Sequence, residues 1–390
     1  MIDVLFILPP FVSDRCPSMA LSLFKTVLYQ NNISCEILYA NILFKKELPF
    51  LLYDKIAVSD NTHLLSEFIF SSSAFKKDNT LKNAHAEFHK KYKDKKFKTA
   101  IYNEHISISE IEQCITSIES HRKELKRLIL QKKPKIVGIQ ISYNQICYSI
   151  VLAELIKSID EKIIITAGGY NCQMPMAEEI VSLTNDIDYI FSGEADSAFP
   201  EFCLNVKKNI LPQEKIIVCG IEEYLDEHPL PDFSDYLQQS SQIPFYSVTR
   251  WLPIENSRGC WWGEQSQCSF CGGNGNAISY RKKSNTVISR QMKNITSLYN
   301  SEKIYPTDII NPPNFTEILS RSESSLASDL YYEMRPTVPF EELYMYKKAG
   351  LLLCQPGIET FNDTLLSILN KGTSAVKNIE FLRNCISLNI

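Results

Sequence analysis

The feature that most constrains the fold is a regular alternation of short apolar runs and amphipathic helices along the first half of the chain. Val4–Leu8 is a continuous apolar run, typical of a strand buried on both faces. Met19–Tyr29 has apolar residues at helical spacing. Strands that alternate with helices predict a parallel, doubly wound sheet. Further strands are predicted at Cys35–Tyr39, Lys135–Ser142, Lys162–Ala167 and Asp188–Phe191, with helices at 147–159, 175–183 and 196–207.

A second strand–helix series begins near residue 249. We therefore expect an α/β chain with a doubly wound domain at 1–207, which a largely helical insertion interrupts at 46–130. A linker at 208–248 and a second domain at 249–390 follow. The second domain is predicted to form the first four units of a partial, incomplete (β/α) barrel, in which function gathers at the carboxyl ends of the strands. After its first strand we predict strands at Thr307–Ile310, Leu330–Arg335 and Leu351–Glu359, and helices at 284–299, 314–328 and 339–349.

Charge and hydropathy exclude several classes of partner. The net charge is −4, so no strong field favours nucleic acid or an acidic membrane, and the basic run Lys90–Lys98 is interpreted as a solvated helix or loop. No apolar stretch reaches the roughly 20 residues of a membrane helix. The apolar start of the chain lacks a basic leader. Twelve cysteines without an export signal predict a cytoplasmic protein whose thiols are free or metal-bound.

Three cysteines lie close together at Cys260, Cys268 and Cys271. With no fourth cysteine or histidine nearby, three thiolates can hold three corners of an iron–sulfur cube and leave the fourth iron open. Structural zinc is an alternative, although it prefers four ligands in two pairs. Buried free cysteines are another, but Arg258, Gly259 and the neighbouring glycines indicate an exposed loop. The spacing favours a cluster over zinc.

The residues around the three cysteines resemble a known loop. Arg-Gly-Cys followed by Cys-x-aromatic-Cys is similar to the cluster loop of radical S-adenosylmethionine (SAM) enzymes, whose usual first gap has three residues. Here the gap is Trp261–Gln267. This gap and the string Ser257–Glu264 resemble the peptide maturases named RiPP maturation radical SAM protein 1. The resemblance implies a [4Fe–4S] cluster on the cysteines, SAM cleavage to a 5′-deoxyadenosyl radical, and Phe270 beside the adenine.

The string Gln355–Thr360 resembles the fourth-strand motif of that family, so Gly357 and Glu359 become candidate SAM-binding residues. A carboxylate at a helix start is the simpler reading of Glu359. The nearby Gly372 is interpreted as a helix C-cap. Arg258 either supports the cluster or forms a surface ion pair.

Two acidic residues on other strands are further candidates for SAM binding. Glu333 and Arg335 alternate on the third strand and are expected to face the barrel interior. There they either pair with each other or contact SAM or substrate. Asp308 stands where many radical SAM proteins carry a Gly-Gly-Glu motif, and it is a candidate to serve in its place. No catalytic residue is assigned beyond these.

The N-terminal sheet resembles cobalamin-binding domains. The strings that begin at Gly168 and Ser192 match the subgroup's pattern, but the Asp-x-His-x-x-Gly signature is absent. Cobalamin, if bound, would then lack a histidine ligand on its lower face. A domain that binds no corrin and packs or binds peptide is the alternative. Candidate cobalamin-binding residues lie at the predicted carboxyl ends of strands and are Ser142, Gly168, Gly169, Asn171 and Glu194.

The resemblance implies a radical SAM enzyme that modifies a ribosomally made precursor peptide, most simply by C-methylation through cobalamin. Epimerisation or another radical modification is the second reading, and a non-catalytic fragment that binds a cluster or peptide is a third. An electron donor such as flavodoxin or ferredoxin is the expected partner. The family continues with further strands beyond the position matching Ile390, so we expect either a truncated chain or a fold completed by another element.

Overall fold

The chain is described from a computed structural model. The structure describes residues 2–49, 51–59, 64–76, 87, 90, 96–98, 105–243, 250–272, 278–301, 303–313, 315–320 and 329–390. Two compact units are present. Unit 1 comprises 1–15, 20–221 and 231–247, and unit 2 comprises 16–19, 222–230 and 248–390. The basic run Lys90–Lys98 and the predicted helix end at 321–328 fall largely outside the described residues.

Unit 1 is built on a parallel sheet of six strands, as the alternating sequence pattern predicts. The order across the sheet is β2-β1-β5-β6-β7-β8. The chain therefore winds outward in both directions from the boundary between β1 and β5, the switch point where open sheets of this kind bind ligands. The strands of this sheet are β1 (Ile2–Leu8), β2 (Cys35–Tyr39), β5 (Pro134–Gln140), β6 (Ile164–Gly168), β7 (Tyr189–Ser192) and β8 (Ile216–Val218).

Helices cover this sheet and bury its apolar strands. Val4 to Leu8 are almost fully buried, which explains why the first strand has a continuous apolar run rather than an alternating one. The helices of unit 1 are α1 (Met19–Gln30), α2 (Ala40–Glu47), α3 (Leu52–Ala57), α4 (Leu65–Ala74), α5 (Ile108–Lys132), α6 (Ile146–Ile159), α7 (Met176–Leu183), α8 (Ala198–Lys207) and α9 (Ser234–Ser240).

The segment predicted as a helical insertion contains α3, α4 and most of α5. A short antiparallel pair of strands, β3 (Lys96–Lys98) and β4 (His105–Ser107), precedes α5. The long helix begins at a capping box, in which the Ser107 side chain accepts from the Glu110 N–H and Glu110 bonds back to the Ser107 N–H. The remaining residues of 77–104 lie outside the described part of the chain.

The segment 208–248, interpreted from the sequence as a linker, carries regular structure. Within it, β8 forms the edge of the unit 1 sheet and α9 packs beside β2. The Asp235 carboxylate accepts the Ile37 N–H at 2.8 Å, and the Gln239 side chain bonds both Ile37 and Tyr39. Helix α9 therefore satisfies the free edge of β2. Composition does not reveal this role of α9, because the role depends on side-chain hydrogen bonds to an edge strand that is distant in sequence.

Unit 2 contains a second parallel sheet, with the order β14-β13-β12-β9. Its second strand lies before the predicted segment Thr307–Ile310, which instead forms the turn at the strand's carboxyl end. The strands are β9 (Leu252–Ile254), β12 (Lys303–Pro306), β13 (Asp329–Met334) and β14 (Leu351–Pro356). The helices are α10 (Trp261–Ser266), α11 (Asn285–Tyr299), α12 (Phe315–Ser320), α13 (Phe340–Lys348), α14 (Asp363–Ile368) and α15 (Ala375–Ser387).

The two faces of the unit 2 sheet differ in burial. On β13, Leu330, Tyr332 and Met334 are buried, whereas Tyr331 and Glu333 are half-buried. This alternation follows from the two-residue period of a strand. Within the described residues, no helix is long and apolar enough to span a bilayer.

Candidate functional site

The cysteine loop is anchored at both ends by a short antiparallel ribbon. Strand β10 (Ser257–Arg258) pairs with β11 (Arg281–Lys282). Between β10 and the first cysteine, Gly259 has φ +75°, and a Cβ there would lie 2.1 Å from the Ser279 carbonyl oxygen. Only glycine fits this close approach of two backbones. The Arg-Gly-Cys element is therefore needed to turn the chain into the loop.

The long gap between the first two cysteines is occupied by a helix. Cys260 is the N-cap of α10, and its Sγ accepts the Gly263 N–H at 3.3 Å. The other two cysteines share a tight turn, in which the Cys271 N–H donates to the Cys268 carbonyl at 3.0 Å. The Gln267 side chain donates to the Cys271 carbonyl at 2.9 Å. The extra residues of the gap thus form a short helix rather than an irregular loop.

The three thiols act on one another electrostatically. Burial raises the pKa of Cys268, the charges of Lys371 and Arg335 oppose that rise, and the thiols of Cys271 and Cys260 add to it. In the described ranges, no group of three or more His, Cys, Asp or Glu side chains is placed to hold one metal ion. Each thiolate of a four-iron cluster binds a different iron atom, so cluster ligands stand farther apart than the ligands of one ion. Three thiols on one loop, with two cations that act electrostatically on Cys268, have the donor chemistry that an anionic cluster needs.

A tryptophan on α10 locks the loop to the end of β13. The Arg335 guanidinium lies 3.9 Å from the centre of the Trp262 ring, and the Trp262 indole N–H donates to the Asn370 carbonyl at 3.0 Å. The ring packs on Gly372, where a Cβ would lie 2.2 Å from the nearest ring carbon. Glycine is therefore required at position 372 by the packing of the Trp262 ring, and not by the predicted helix cap. The C-cap of α14 is Leu369, and the left-handed residue that follows it is Asn370, whose φ is +55°.

Three of the residues assigned to SAM by resemblance surround one lysine. The Lys371 ammonium lies 3.2 Å from a Glu359 carboxylate oxygen and 5.6 Å from the centre of the Phe270 ring. A Cβ at Gly357 would lie 2.9 Å from the same nitrogen. Phe270 is 54% exposed, whereas Lys371 is 9% exposed, so an open aromatic ring stands beside a nearly buried cation. Sequence reasoning gave Lys371 no role, because its proximity depends on the turn after α14.

Asp308, also assigned to SAM, supports the start of the cysteine loop. Its carboxylate accepts the backbone N–H groups of Asn256 and Ser257 at 2.8 and 2.9 Å, and it also accepts from the Asn256 side chain and the Tyr332 hydroxyl. Burial raises the pKa of Asp308 to about 6, although the hydrogen bonds from Tyr332 and the two N–H groups oppose that rise. The described contacts engage both carboxylate oxygens within the protein.

A buried ion pair lies next to this support. The Arg258 guanidinium donates to both oxygens of Glu255, at 2.7 and 3.2 Å, and His228 stands 3.4 Å from the same carboxylate. Burial alone raises the pKa of Glu255, but Arg258 and His228 hold it well below its usual range. The ion-pair interpretation of Arg258 is the one the structure shows, with the pair largely buried rather than on the surface.

Glu333 lies on the less buried face of β13 with Tyr331 and, from β12, Tyr305. The two tyrosine rings are 5.3 Å apart, and Tyr331 donates to the Gln355 side chain at 3.0 Å. Burial raises the pKa of Glu333. Among the described residues it makes no ion pair with Arg335, which is engaged by Trp262 and by backbone carbonyls.

The cobalamin candidates of unit 1 occupy loops at the carboxyl end of its sheet. The Asn171 side chain donates to the Ser142 carbonyl at 2.9 Å, and Gln145 bridges to the Pro9 carbonyl at 2.7 Å across the switch point. Gly169 has φ +120°, and a Cβ there would lie 2.7 Å from the Ile141 carbonyl oxygen. The loop itself therefore requires this glycine.

Three further features complete this edge of unit 1. Gly168 is the last residue of β6, and Glu194 follows β7. An aromatic pair that sequence reasoning missed, Tyr143 and Tyr170, has ring centres 4.9 Å apart. Tyr143 is 59% exposed. One exposed ring, packed beside a half-buried one, therefore stands next to the polar loops at this edge of the sheet.

Solved structures of two enzymes match the fold of this chain. OxsB, described as a cobalamin-dependent SAM radical enzyme with aqua-cobalamin bound, matches with a TM-score of 0.64 and 15% identity, over 100% of this chain and 48% of its own. TsrM from Kitasatospora setae, a radical SAM methyltransferase with tryptophan substrate and a SAM analog bound, matches with a TM-score of 0.56 and 13% identity, over 99% of this chain and 66% of its own.

The chain shares its fold with cobalamin-dependent radical SAM enzymes. A second TsrM structure, with cobalamin and a [4Fe–4S] cluster bound, matches with a TM-score of 0.55 and 13% identity, over 99% of this chain and 67% of that one. The chain thus spans about half the length of OxsB and about two thirds of TsrM. No protein-family model matches the sequence, and no curated protein matches it.

Proposed function

We propose that unit 2 binds a [4Fe–4S] cluster through Cys260, Cys268 and Cys271 and uses it with SAM in a radical reaction. The observation that carries this proposal is the position of the three thiols. They lie on one loop directly after the first strand of a parallel sheet, in a chain with the fold of radical SAM enzymes. When bound, the cluster would supply the electron that opens a carbon–sulfur bond of SAM.

The residues around Lys371 have matching roles in holding SAM. The half-exposed Phe270 ring offers a flat apolar surface for an adenine, and Glu359 offers an acceptor for ribose or amino hydrogens. Lys371 fixes Glu359 through their 3.2 Å ion pair. Gly357 leaves the lysine room, because a side chain there would meet its ammonium group.

For unit 1 we propose cobalamin binding at the loops that contain Ser142, Gly168, Gly169, Asn171 and Glu194. The position of the Ser142 loop at the switch point and the exposed Tyr143 ring support the proposal. Bound there, cobalamin would supply a methyl group. The chain's own residues would surround the corrin with backbone and aromatic groups, since these loops contain no histidine.

The substrate proposed is a ribosomally made precursor peptide, modified at an unactivated carbon. The support is the resemblance of Ser257–Glu264 to the peptide maturases. C-methylation is the favoured reaction because one structural neighbour is named as a methyltransferase. Epimerisation or another radical modification is the second candidate. A flavodoxin or ferredoxin of the cytoplasm would deliver the electron.

Anaerobic reconstitution with iron and sulfide tests the cluster. We expect about four iron and four sulfide per chain, and 5′-deoxyadenosine or S-adenosylhomocysteine on reduction with SAM. Cys268→Ala is expected to lose most of the iron. Cys354→Ala is the matched control, because Cys354 lies on β14 beside Cys385 rather than in the loop.

The results separate the alternatives. One zinc per chain that survives in air contradicts the cluster and SAM chemistry alike. A cluster that yields no product from SAM supports a binding fragment without turnover. Cobalamin is tested separately by titration into the apoprotein, with the corrin absorption spectrum as the readout, and Tyr143→Ala is expected to weaken binding.

A further inference from the structure

Arg335 is a buried cation that has no carboxylate partner among the residues the structure describes. The residue is 7% exposed, and its guanidinium donates to the carbonyls of Lys371 and Gly372. The Arg335 guanidinium lies over the Trp262 ring, 3.9 Å from the ring centre, and 5.7 Å from the centre of the Trp261 ring. The other buried cations among the described residues have an amide or acidic side-chain partner: Lys283 bonds Gln291 at 2.8 Å, and Lys371 pairs with Glu359 at 3.2 Å. Within the same residues, Arg335 contacts neutral carbonyls and aromatic rings.

A buried charge is costly unless an opposite charge lies near it. The acidic groups that act electrostatically on Arg335 are the thiols of Cys268 and Cys260. The Arg335 contacts also fix α10, because Trp262 follows Cys260 by two positions. One side chain therefore both positions the cysteine loop through Trp262 and places a permanent positive charge where it acts electrostatically on the thiols of Cys268 and Cys260.

We propose that Arg335 is the counter-charge of the centre held by the three cysteines and raises the reduction potential of that centre. This inference rests on the proposed function. Three thiolates make a [4Fe–4S] centre anionic, and one-electron reduction by a low-potential donor adds a further negative charge without a proton. A nearby guanidinium stabilises the reduced form more than the oxidised form, because attraction grows with the charge. Arg335 is thus a positioning residue with an electrostatic effect on the cluster.

A redox titration of the reconstituted protein under anaerobic conditions tests the inference. Arg335→Gln keeps a planar group that can donate to the two carbonyls but removes the charge. We expect the equilibrium constant for reduction to fall about tenfold, which is about 59 mV for one electron. Arg335→Lys keeps the positive charge but cannot stack on the Trp262 ring. Its equilibrium constant for reduction is expected to stay within about threefold of the wild-type value.

Arg383→Met is the matched control, since it removes a cation whose side chain is 71% exposed on α15. Its potential should equal that of wild type. If Arg335→Gln does not retain four iron atoms, Arg335→Met is titrated in its place. An unchanged potential in the neutral variant overturns the inference, as does an equal fall in Arg335→Lys, which would indicate a structural effect. Absence of a cluster in the wild-type protein overturns the inference together with the proposed function.

Discussion

Replacing Gly372 by alanine tests how the cysteine loop is held. Gly372 has φ +60°, and an added Cβ would lie 2.2 Å from one carbon of the Trp262 ring and 2.3 Å from another. The Arg335 guanidinium, at 3.1 Å, closes the third side. Carbon atoms at rest are separated by about 3.5–4.0 Å, so the ring must move by more than an ångström. Trp262 is held by its bond to Asn370 and by the arginine above it, so the movement must carry α10 with it.

Two effects lower the unfolding free energy of Gly372→Ala. An L-residue in the left-handed region costs about 1–2 kcal/mol, and overpacking of a well-packed site costs about 1–3 kcal/mol. Together they predict that unit 2 loses about 2–5 kcal/mol of unfolding free energy. For a unit of this size that corresponds to a fall of roughly 4–20 °C in its melting temperature.

The assays are thermal unfolding, near-ultraviolet circular dichroism of the tryptophans, and iron content after reconstitution. Gly372→Ala is expected to change all three. Gly272→Ala is the matched control within the same loop, because no heavy atom of the described residues beyond its chain neighbours lies within 4 Å of the position a Cβ would take there. If Gly372→Ala keeps the melting temperature, tryptophan signal and iron content of that control, the proposed packing of Trp262 on Gly372 is refuted.

Two further predictions concern pH. Burial raises the folded-state pKa of Asp308 to about 6. Between about pH 4 and 6 the folded state therefore binds more protons than the unfolded state. The free energy of unfolding is then expected to fall by on the order of 2–3 kcal/mol as the pH rises through that window. Urea unfolding should show this slope in wild type and not in Asp308→Asn; equal slopes would contradict it. Burial lowers the pKa of His121, which bonds Tyr148 at 2.8 Å, to about 3. Unit 1 should therefore lose about 1 kcal/mol as pH falls from 7 to 5.5, and a His121→Gln variant that keeps the full slope would show that another group titrates.

The sequence predicted most elements of both sheets because their signals are local. Continuous apolar strands and amphipathic helices place hydrophobic residues at periods that a single segment reveals. The predicted helix Met19–Tyr29, for example, matches α1 to within one residue. The second strand of unit 2 was predicted too late in the chain, because Thr307–Ile310 is as apolar as the four residues before it. The pairing of Ile304 with both Leu252 and Leu330 settles the position.

The residues of the candidate site also fall into those that a local sequence signal indicates and those that only distant contacts place. The three cysteines and Phe270 were proposed from one short motif, and Glu359 from a second, because each motif lies within a few residues of sequence. Lys371 and Arg335 were missed or given other partners, because their positions depend on the turn after α14 and on the ring of Trp262. Cation–aromatic and carbonyl contacts between segments distant in sequence leave no periodic signal.

The sequence by itself determined the class of fold and the three thiols of one loop, because strand alternation and cysteine spacing are properties of neighbouring residues. Tertiary structure decided what those thiols face. It placed a lysine and a buried guanidinium, which has no carboxylate partner among the described residues, where both act electrostatically on Cys268. It also bonded Asp308 to the start of the loop and made α9 part of unit 1. These outcomes depend on the packing of segments distant along the chain, since burial and charge compensation arise only when such segments meet.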